Sequence, residues 1–391
     1  MRNKIPKHWQ KSKFEDVLQY EQPSKYIVKS TEYGDDYKTP VLTAGKSFIL
    51  GYTDEKDGIF TDVPVIIFDD FTTDTKFVDF HFKVKSSAMK ILKPTHNTNI
   101  KFIFYLMQTI HHKSDTHKRY WISEYAKREI PLPPLDEQNL IVKKIEGCFE
   151  KIDLAISNFK KSKELIEIYK QSVLSHAFNG KLTNSNLNSW QFKKLGEICE
   201  INPKTEISEI FDMDNVSFIP MSCVEAEKNK FTTIDTQYKV VKKGYTKFKD
   251  NDILFAKITP CMENGKICIV NDLKFGFGFG STEFHVLRPN IYTLSKYIYF
   301  FISQAYFRKR AEKFMTGAVG QRRVPAKYLV DLEIPLPPLS EQNLIVSQIE
   351  KRFKAADSSL NLIEQNLKKA EILKQSILSK AFNGRLVKDK K

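Results

Sequence analysis

The sequence is poor in cysteine and has no cysteines at the spacing typical of redox or zinc sites. Its five cysteines are scattered over 391 residues, and no two of them form a C-x-x-C pair. An odd, scattered set is not a disulfide framework. We therefore expect free thiols and a reducing, cytoplasmic environment.

Long apolar runs are also missing. The longest apolar stretches, such as Phe102–Met107 and Tyr297–Ile302, are far shorter than the ~20 residues that cross a bilayer. The opening residues, MRNKIPKHWQ, contain no apolar run that would suggest a secretory signal. The sequence therefore predicts a protein with no membrane partner.

Several short segments resemble catalytic motifs but lack essential positions. Ala44–Ser47 ends like a phosphate-binding loop, but proline stands at position 40, where that loop needs glycine. Asn202–Lys204 begins like the N-P-P-[YF] motif of amino-methyltransferases, without the second proline or the aromatic residue. His111, His112 and His117 have no cysteine or carboxylate partners at metal-ligand spacing. We expect no catalytic centre, metal or cofactor in this chain.

Basic residues outnumber acidic ones. The chain has 62 lysines and arginines against 47 aspartates and glutamates, a formal charge of +15. Such a surplus favours a polyanionic partner, most simply nucleic acid. A generally basic, AT-rich proteome is the alternative explanation.

The chain is an internal duplication. Ile130–Glu146 reads IPLPPLDEQNLIVKKIE, and Ile334–Glu350, 204 residues later, reads IPLPPLSEQNLIVSQIE. At the same offset, QSVLSHAFNGKL (Gln171–Leu182) recurs as QSILSKAFNGRL (Gln375–Leu386). Two long near-identities in one register do not arise by chance, so each half carries a nearly constant segment.

The remainder of each half repeats more weakly. SSAMKILKP (Ser86–Pro94) aligns with STEFHVLRP (Ser281–Pro289), and the offset drifts along the chain, which places insertions in the second copy. We therefore predict four segments. They are two variable domains at 1–129 and 186–333, followed by constant helical segments at 130–185 and 334–391.

Each constant segment is predicted to be one long helix. Asp136 and Ser340 are good N-cap residues. Leucines on either side of them, Leu135 with Leu140 in the first copy, would form a hydrophobic staple. Asn-Gly pairs at 179–180 and 383–384 are suitable C-terminal stops.

Apolar residues within these helices recur at alternating intervals of four and three. The second copy, for example, runs Ile349, Phe353, Ala356, Leu360 and Ile363. This heptad pattern is typical of a coiled coil. About 43 residues would form a rod on the order of 65 Å long. We expect the two copies to pair as an antiparallel coiled coil, with pairing between chains as the alternative.

The variable domains are predicted to be mixed α+β folds, each with a curved sheet. Pro64–Phe68 and Ile253–Phe255 look like short buried strands. Lys101–Ile110 and Ser295–Lys313 have helical length. The predicted fold class is therefore α+β, with two such domains alternating with the two long helices.

A basic loop precedes the IPLPPL motif in both copies. Side chains of these types suit phosphate neutralisation and guanine contacts. In the second copy Gly317–Gly320 leads into the loop and would allow close approach of the backbone. We predict that Arg119 and Arg323 face DNA with Lys118 and Arg322 on phosphate; a solvated surface loop is the alternative. The loop residues are His117, Lys118 and Arg119 in the first copy and Gln321, Arg322 and Arg323 in the second.

A second pair of candidate sites lies at predicted turns. The first turn, Lys83–Ser87, aligns with Gly276–Thr282 (GFGFGST). Small hydroxyl residues there could contact DNA or could simply form turns. The candidates are Lys85, Ser86 and Ser87 in the first copy and Ser281 and Thr282 in the second. Lys257 and Thr259 are a further, weaker candidate pair in the second copy only.

The predicted chain alternates two variable domains with two near-identical helices, and each helical segment is introduced by IPLPPL-x-EQ and closed by AFNG[KR]L. This arrangement resembles the specificity subunits of type I restriction-modification systems. The resemblance covers essentially the whole chain. It implies that each variable domain is a target recognition domain reading one half of a bipartite double-stranded DNA sequence. It also implies that the helices act as a ruler and dock two methyltransferase subunits.

The resemblance further implies a restriction-translocase subunit as partner, with S-adenosylmethionine, ATP and Mg bound by the partner subunits. A fused methyltransferase or nuclease is the enzymatic alternative, and the missing motifs disfavour it. A coiled-coil scaffold without DNA binding would explain the helices, but not two different basic domains on duplicated frames.

Overall fold

The computed structural model describes residues 5–43, 47–95, 97–110, 119–184, 187–207, 210–318 and 320–387. The chain divides into two compact units. The first unit comprises Met1–Lys160 and Glu364–Lys391, and the second comprises Lys161–Ile363. Each unit combines one globular domain of mixed α+β structure with part of each long helix.

The first globular domain contains a four-stranded antiparallel sheet, a smaller sheet and a separate strand pair. Its strands are β1 (Gln10–Lys13), β2 (Leu18–Glu21), β3 (Thr39–Leu42), β4 (Ile49–Thr53), β5 (Val65–Asp69), β6 (Thr75–Val78), β7 (Lys83–Val84), β8 (Met89–Pro94) and β9 (Glu129–Leu132). Its helices are α1 (Phe14–Val17) and α2 (Ile100–Met107), and the long helix α3 (Leu135–Phe178) follows. The sheet orders are β2-β8-β5-β6, β4-β3-β7 and β1-β9, with β3 parallel to β7.

The second globular domain repeats this arrangement of sheets, with one strand more and additional short helices among the residues that the structure describes. Its strands are β10 (Gln191–Lys194), β11 (Cys199–Ile201), β12 (Asn215–Ile219), β13 (Ile234–Gln237), β14 (Thr246–Lys249), β15 (Ile253–Ala256), β16 (Ile267–Ile269), β17 (Phe277–Gly280), β18 (Phe284–Pro289) and β19 (Glu333–Leu336). Its helices are α4 (Leu195–Ile198), α5 (Tyr238–Val241), α6 (Ser295–Ile302), α7 (Ala305–Glu312) and α8 (Ala326–Val330), followed by the long helix α9 (Leu339–Phe382). The sheet orders are β11-β18-β15-β16, β13-β12-β17-β14 and β10-β19.

Strands β5 and β15 confirm the predicted buried strands and explain their continuous apolar sequences. Ile66 and Phe68 of β5 pack in the cluster that includes the long helices, whereas Val65 and Ile67 pack against the smaller sheet. Strand β15 alternates in the same way between two clusters. Because successive side chains point to opposite faces and both faces are covered, every position of Val65–Phe68 and of Ile253–Ala256 is apolar.

Both long helices begin one residue before the predicted N-caps, so that prediction was wrong. In α3 the carbonyl oxygen of Pro134 accepts hydrogen bonds from the amides of Glu137 and Gln138, both at 3.0 Å. Pro134 therefore occupies the N-cap position, and Asp136 lies within the first turn, where its negative charge favours the helix dipole. Pro338 is the N-cap of α9 in the same way, because its carbonyl oxygen accepts from the amides of Glu341 and Gln342 at 2.9 and 3.0 Å.

The predicted hydrophobic staple is replaced by a buried glutamine. Gln138 donates to the carbonyl oxygen of Pro133 at 2.9 Å and accepts from the amide of Asn99 at 2.8 Å. Gln342 makes the equivalent bonds to Pro337 and Leu294, at 2.9 and 3.0 Å. The glutamine of the EQ motif thus fixes the start of each long helix to its globular domain.

The long helices pair antiparallel, as predicted, and equivalent charged contacts join them in the two units. In the first unit Lys374 of α9 bonds Asp153 of α3 at 2.5 Å and lies 5.2 Å from the ring centroid of Phe149. In the second unit the corresponding contacts join Lys170 to Asp357 at 2.6 Å and to the ring of Phe353 at 5.7 Å. A lysine at an apolar heptad position disfavours other registers, because a slipped pair would bury it without a partner.

Two further predictions need correction. Lys83–Val84 and Phe277–Gly280 are strands and not parts of turns; the turn is limited to the residues that follow. In β17 a Cβ atom at Gly278 would lie 2.6 Å from the ring of Phe248, so glycine lets the neighbouring strand approach. The span Ser295–Lys313 is two helices, because the extended backbone of Gln304 separates α6 from α7.

Candidate DNA interface

The same backbone hydrogen bonds position the basic loops of both domains. In the first domain the amide of Tyr120 donates to the carbonyl oxygen of Asp70 at 2.9 Å; in the second, the amide of Val324 donates to that of Lys257 at 2.9 Å. These bonds place Arg119 and Arg323, which precede Tyr120 and Val324, at equivalent points of the two folds. The alignment of the two loops made from the sequence therefore has a structural basis.

In the second domain the frame brings together all three segments predicted to contact DNA. The amide of Lys257 donates to the carbonyl oxygen of Glu283 at 2.9 Å, and the amide of Thr259 donates to that of Arg322 at 3.0 Å. The Lys257–Thr259 segment therefore lies between the Ser281–Thr282 turn and the Gln321–Arg323 loop. Candidates scattered over more than 60 residues of sequence form one continuous surface.

Arg323 is held by a carboxylate that the sequence analysis did not select. Its Nε and Nη2 atoms donate to the two oxygens of Glu283 at 2.9 and 2.8 Å, and its Nη1 donates to the carbonyl oxygen of Gln321 at 2.9 Å. The hydrogen bonds from Arg323 lower the pKa of Glu283, and the carboxylate in turn raises the pKa of Arg323. Arg322 forms a looser ion pair with Glu312, at 3.7 Å.

The hydroxyl candidates differ in how far their side chains are already engaged. The hydroxyl of Thr259 donates to Glu263 at 2.8 Å. Ser86 and Ser281 stabilise equivalent turns, each accepting a hydrogen bond from the amide two residues later, at 3.4 and 3.2 Å. Thr282, beside this turn, is exposed. The turn-forming role predicted as one alternative is therefore present at both serines.

The first domain presents a different set of side chains on the equivalent frame. Lys85, Ser87 and Arg119 are exposed, and the carbonyl oxygen of Arg119 accepts a hydrogen bond from Ser123 at 2.7 Å. Ala88 stands where the second domain has Glu283, so the bidentate partner of the arginine is not repeated. The predicted residues His117 and Lys118 lie outside the described residues.

The inner surface beneath each basic loop also differs. Asp70 and Lys90 form a buried ion pair in the first domain, with 3.4 Å between Nζ and Oδ2. The corresponding positions in the second domain are Lys257, which is half-buried, and His285. Nε2 of His285 lies 2.8 Å from the carbonyl oxygen of Val324, and its Nδ1 lies 3.0 Å from Asn202. Burial lowers the pKa of His285, and the positive charge of Lys257 lowers it further.

A groove of about 600 Å³ opens beside the Ser281–Thr282 turn in the second domain. The side chains that line it include Lys204, Lys247 and Lys257. Three lysines around one groove suit a phosphate backbone. Lys204 belongs to the N-P-K segment that failed as a catalytic motif, and Asn202 of that segment bonds β18 through the amide of Val286 at 3.0 Å. The sequence showed this segment but not its position beside Lys257.

Two structural findings bear on the other predicted properties. Within the described ranges, every helix is too short or too polar to cross a bilayer. The part of the chain that the structure describes also lacks a cluster of three histidine, cysteine or acidic residues able to hold a metal. His111, His112 and His117 are not among these residues.

Comparison with known proteins identifies the family. The family model for the type I restriction modification DNA specificity domain matches twice, at residues 6–166 and 188–371. The specificity subunit of the Escherichia coli type I restriction enzyme EcoR124I/EcoR124II is 31% identical over 388 residues, covering 92% of this chain and 89% of that protein. The Escherichia coli EcoEI specificity subunit is 42% identical over 164 residues, covering 41% of this chain and 27% of that protein.

Two solved structures share the fold. A chain from a study of complex assembly and conformational transition in a type I restriction-modification system gives a TM-score of 0.72 at 18% identity, covering 98% of this chain and all of that one. The HsdS subunit of Thermoanaerobacter tengcongensis gives 0.59 at 18% identity, covering 98% and 99% of the two chains. With the family model matching both halves and a full-length relative, this chain belongs to the type I restriction-modification DNA specificity subunits.

Proposed function

We propose that this chain reads a bipartite DNA sequence for a type I restriction-modification complex, one half-site per globular domain. The observation that carries the proposal is the repeated frame, in which equivalent backbone hydrogen bonds present Arg119 and Arg323 beside different side chains. A repeated frame gives both domains one way of docking on a duplex, and different side chains let them read different bases. We take residues 1–129 and 186–333 as the two recognition domains.

The phosphate-contacting and base-reading roles fall to different parts of each domain. In the second domain, lysines line the groove while Arg322 and Arg323 lie on the adjoining loop. Lysine is a flexible point charge and suits phosphate, whereas the planar fork of arginine suits a guanine edge. Lys85, Ser87 and Arg119 are the corresponding exposed candidates in the first domain.

The helical segments 130–185 and 334–391 would set the spacing between the half-sites and dock the partner subunits. The Lys–Asp–Phe contacts in both units support a single register for the pair, and a ruler needs one register. We propose two methyltransferase subunits and the restriction-translocase subunit as partners. S-adenosylmethionine, ATP and Mg would bind those partners, and this chain would be non-catalytic and cytoplasmic.

Methylome sequencing of the native host, with and without this gene, tests the proposal. We expect a single bipartite motif, methylated on both strands, to disappear when the gene is deleted and to return when it is restored. The purified chain alone should transfer no methyl groups when S-adenosylmethionine is supplied. An unchanged methylome, or methyl transfer by the chain without partner subunits, would refute the proposal.

A further inference from the structure

The second domain holds one arginine in a fixed orientation on its candidate DNA surface. Resting on the proposed function, we propose that Arg323 reads a guanine in one half-site and that Glu283 is the residue that positions it.

The hydrogen-bond geometry leaves the arginine able to bind a base. A guanidinium group has five N–H donors. Glu283 accepts from Nε and Nη2, and the Gln321 carbonyl accepts from Nη1. One N–H therefore remains on each terminal nitrogen, and a fork of two donors matches the O6 and N7 acceptors of guanine in the major groove. The side chain is 42% exposed, so this fork can be reached.

Both partners are also fixed by the backbone. Arg323 exchanges hydrogen bonds with Thr316, at 2.8 and 3.0 Å, so its main chain lies in a short two-stranded pairing. Glu283 lies between the Ser281 turn and β18, and its carbonyl oxygen accepts the amide of Lys257. Binding then costs little side-chain entropy, which favours a contact that requires orientation. A phosphate contact needs charge alone, and pairing with a carboxylate would weaken it.

The other two candidate arginines, Arg322 and Arg119, are held differently from Arg323. Arg322 lies 3.7 Å from Glu312, too far for a two-bond fork. In the first domain, alanine occupies the position of Glu283, so Arg119 lacks the equivalent support. Glu312 is therefore a matched control, an acidic residue beside the same loop that neutralises charge without orienting Arg323.

The test is selection from a pool of randomised DNA duplexes by the full-length chain with its methyltransferase partners. The wild type should enrich a bipartite motif. Arg323→Ala and Arg323→Lys should lower the preference for guanine at one position of one half-site by about 5- to 150-fold. Glu283→Gln should lower the guanine preference at that position by about 2- to 12-fold, because the freed side chain of Arg323 must then be ordered on binding. Glu312→Gln should leave that preference unchanged.

A double variant separates positioning from direct reading by Glu283. With Arg323→Ala in place, Glu283→Gln should cause no further loss at that position, because the two act as one unit. A further loss of the same size would mean that Glu283 contacts the base pair itself and would overturn the inference. The inference would also be overturned if Arg323→Ala weakened binding to all DNA sequences equally and reduced the slope of log affinity against log salt concentration by about one, because both are signs of a phosphate contact.

Failure of the inference and failure of the proposed function give different results. If the wild-type complex enriches no bipartite motif, the proposed function fails. If it enriches one, and Glu283→Gln keeps or increases the preference for guanine, the function stands and the positioning role is wrong. Thermal unfolding of each variant verifies that the second domain remains folded.

Discussion

The surfaces beneath the two candidate DNA loops are built from the same backbone and from different charges. In the first domain Asp70 and Lys90 neutralise one another in the interior. In the second domain, Lys257 occupies the position of Asp70 and is half-buried beside the groove. His285 occupies the position of Lys90 and is buried beneath the loop. The backbone hydrogen bonds that hold the loops, at 2.9 Å in both domains, use amides and carbonyls alone.

This difference shows how one fold can present different sets of candidate DNA-contacting side chains. Since the backbone hydrogen bonds that hold the loop do not depend on side-chain identity, the side chains on this backbone can change the sign of their charge without moving the loop. The second domain places Lys257 at the groove, and burial together with the charge of this lysine lowers the pKa of His285. The first domain keeps a balanced pair inside and places its exposed candidates, such as Lys85 and Arg119, further out.

The largest expected effect comes from exchanging one domain entirely. Replacing residues 1–129 with the corresponding domain of another such subunit should change one half of the methylated motif completely and leave the other half and the spacer as they were. The reason is that each domain has its own core and its own contacts with the long helices. Methylome sequencing checks this, and a change in both halves would show that the domains do not read independently.

The second prediction compares the two inner positions by stability. Asp70→Ala should lower the free energy of unfolding by about 3–5 kcal/mol, because Lys90 would remain buried without its partner. Lys257→Ala, the matched change in the second domain, should cost no more than about 1 kcal/mol, because Lys257 is partly hydrated and lies at the groove. Urea denaturation of the full chain, followed by circular dichroism, measures both.

A double substitution sharpens that result. Adding Lys90→Met to Asp70→Ala should recover part of the lost stability, because it removes the unpaired charge. Equal losses for Asp70→Ala and Lys257→Ala, or no recovery in the double variant, would show that the interiors of the two domains do not differ as described.

The smallest expected effect is a pH dependence specific to the second domain. Because the pKa of His285 is lower in the folded state than in the unfolded state, its neutral ring stabilises the fold fully above the unfolded-state pKa. This contribution is lost as pH falls through the folded-state pKa. Urea midpoints measured over an acid pH series should therefore fall less steeply for His285→Asn than for the wild type. Parallel curves would exclude His285 as the titrating group.

Much of the architecture could be predicted because it depends on local or repeated sequence patterns. Heptad spacing predicted the helix pairing, and the Asn-Gly pairs predicted where the helices end, at Phe178 and Phe382. The four-segment division remains a prediction from the repeats. The N-caps were misplaced by two residues, because the carbonyls of Pro134 and Pro338 serve as caps, whereas sequence preference favours the side-chain caps Asp136 and Ser340.

The repeat and the heptads were readable from the sequence alone, since both depend on regular spacing along the chain. Only the tertiary structure could show that Glu283 binds Arg323, that Lys204 lines a groove with Lys257, and that Asp70 pairs with Lys90. These pairs lie 20 to 53 residues apart, and no period links them. Strand register and loop closure bring them together, and both depend on the packing of the whole domain and not on any local pattern.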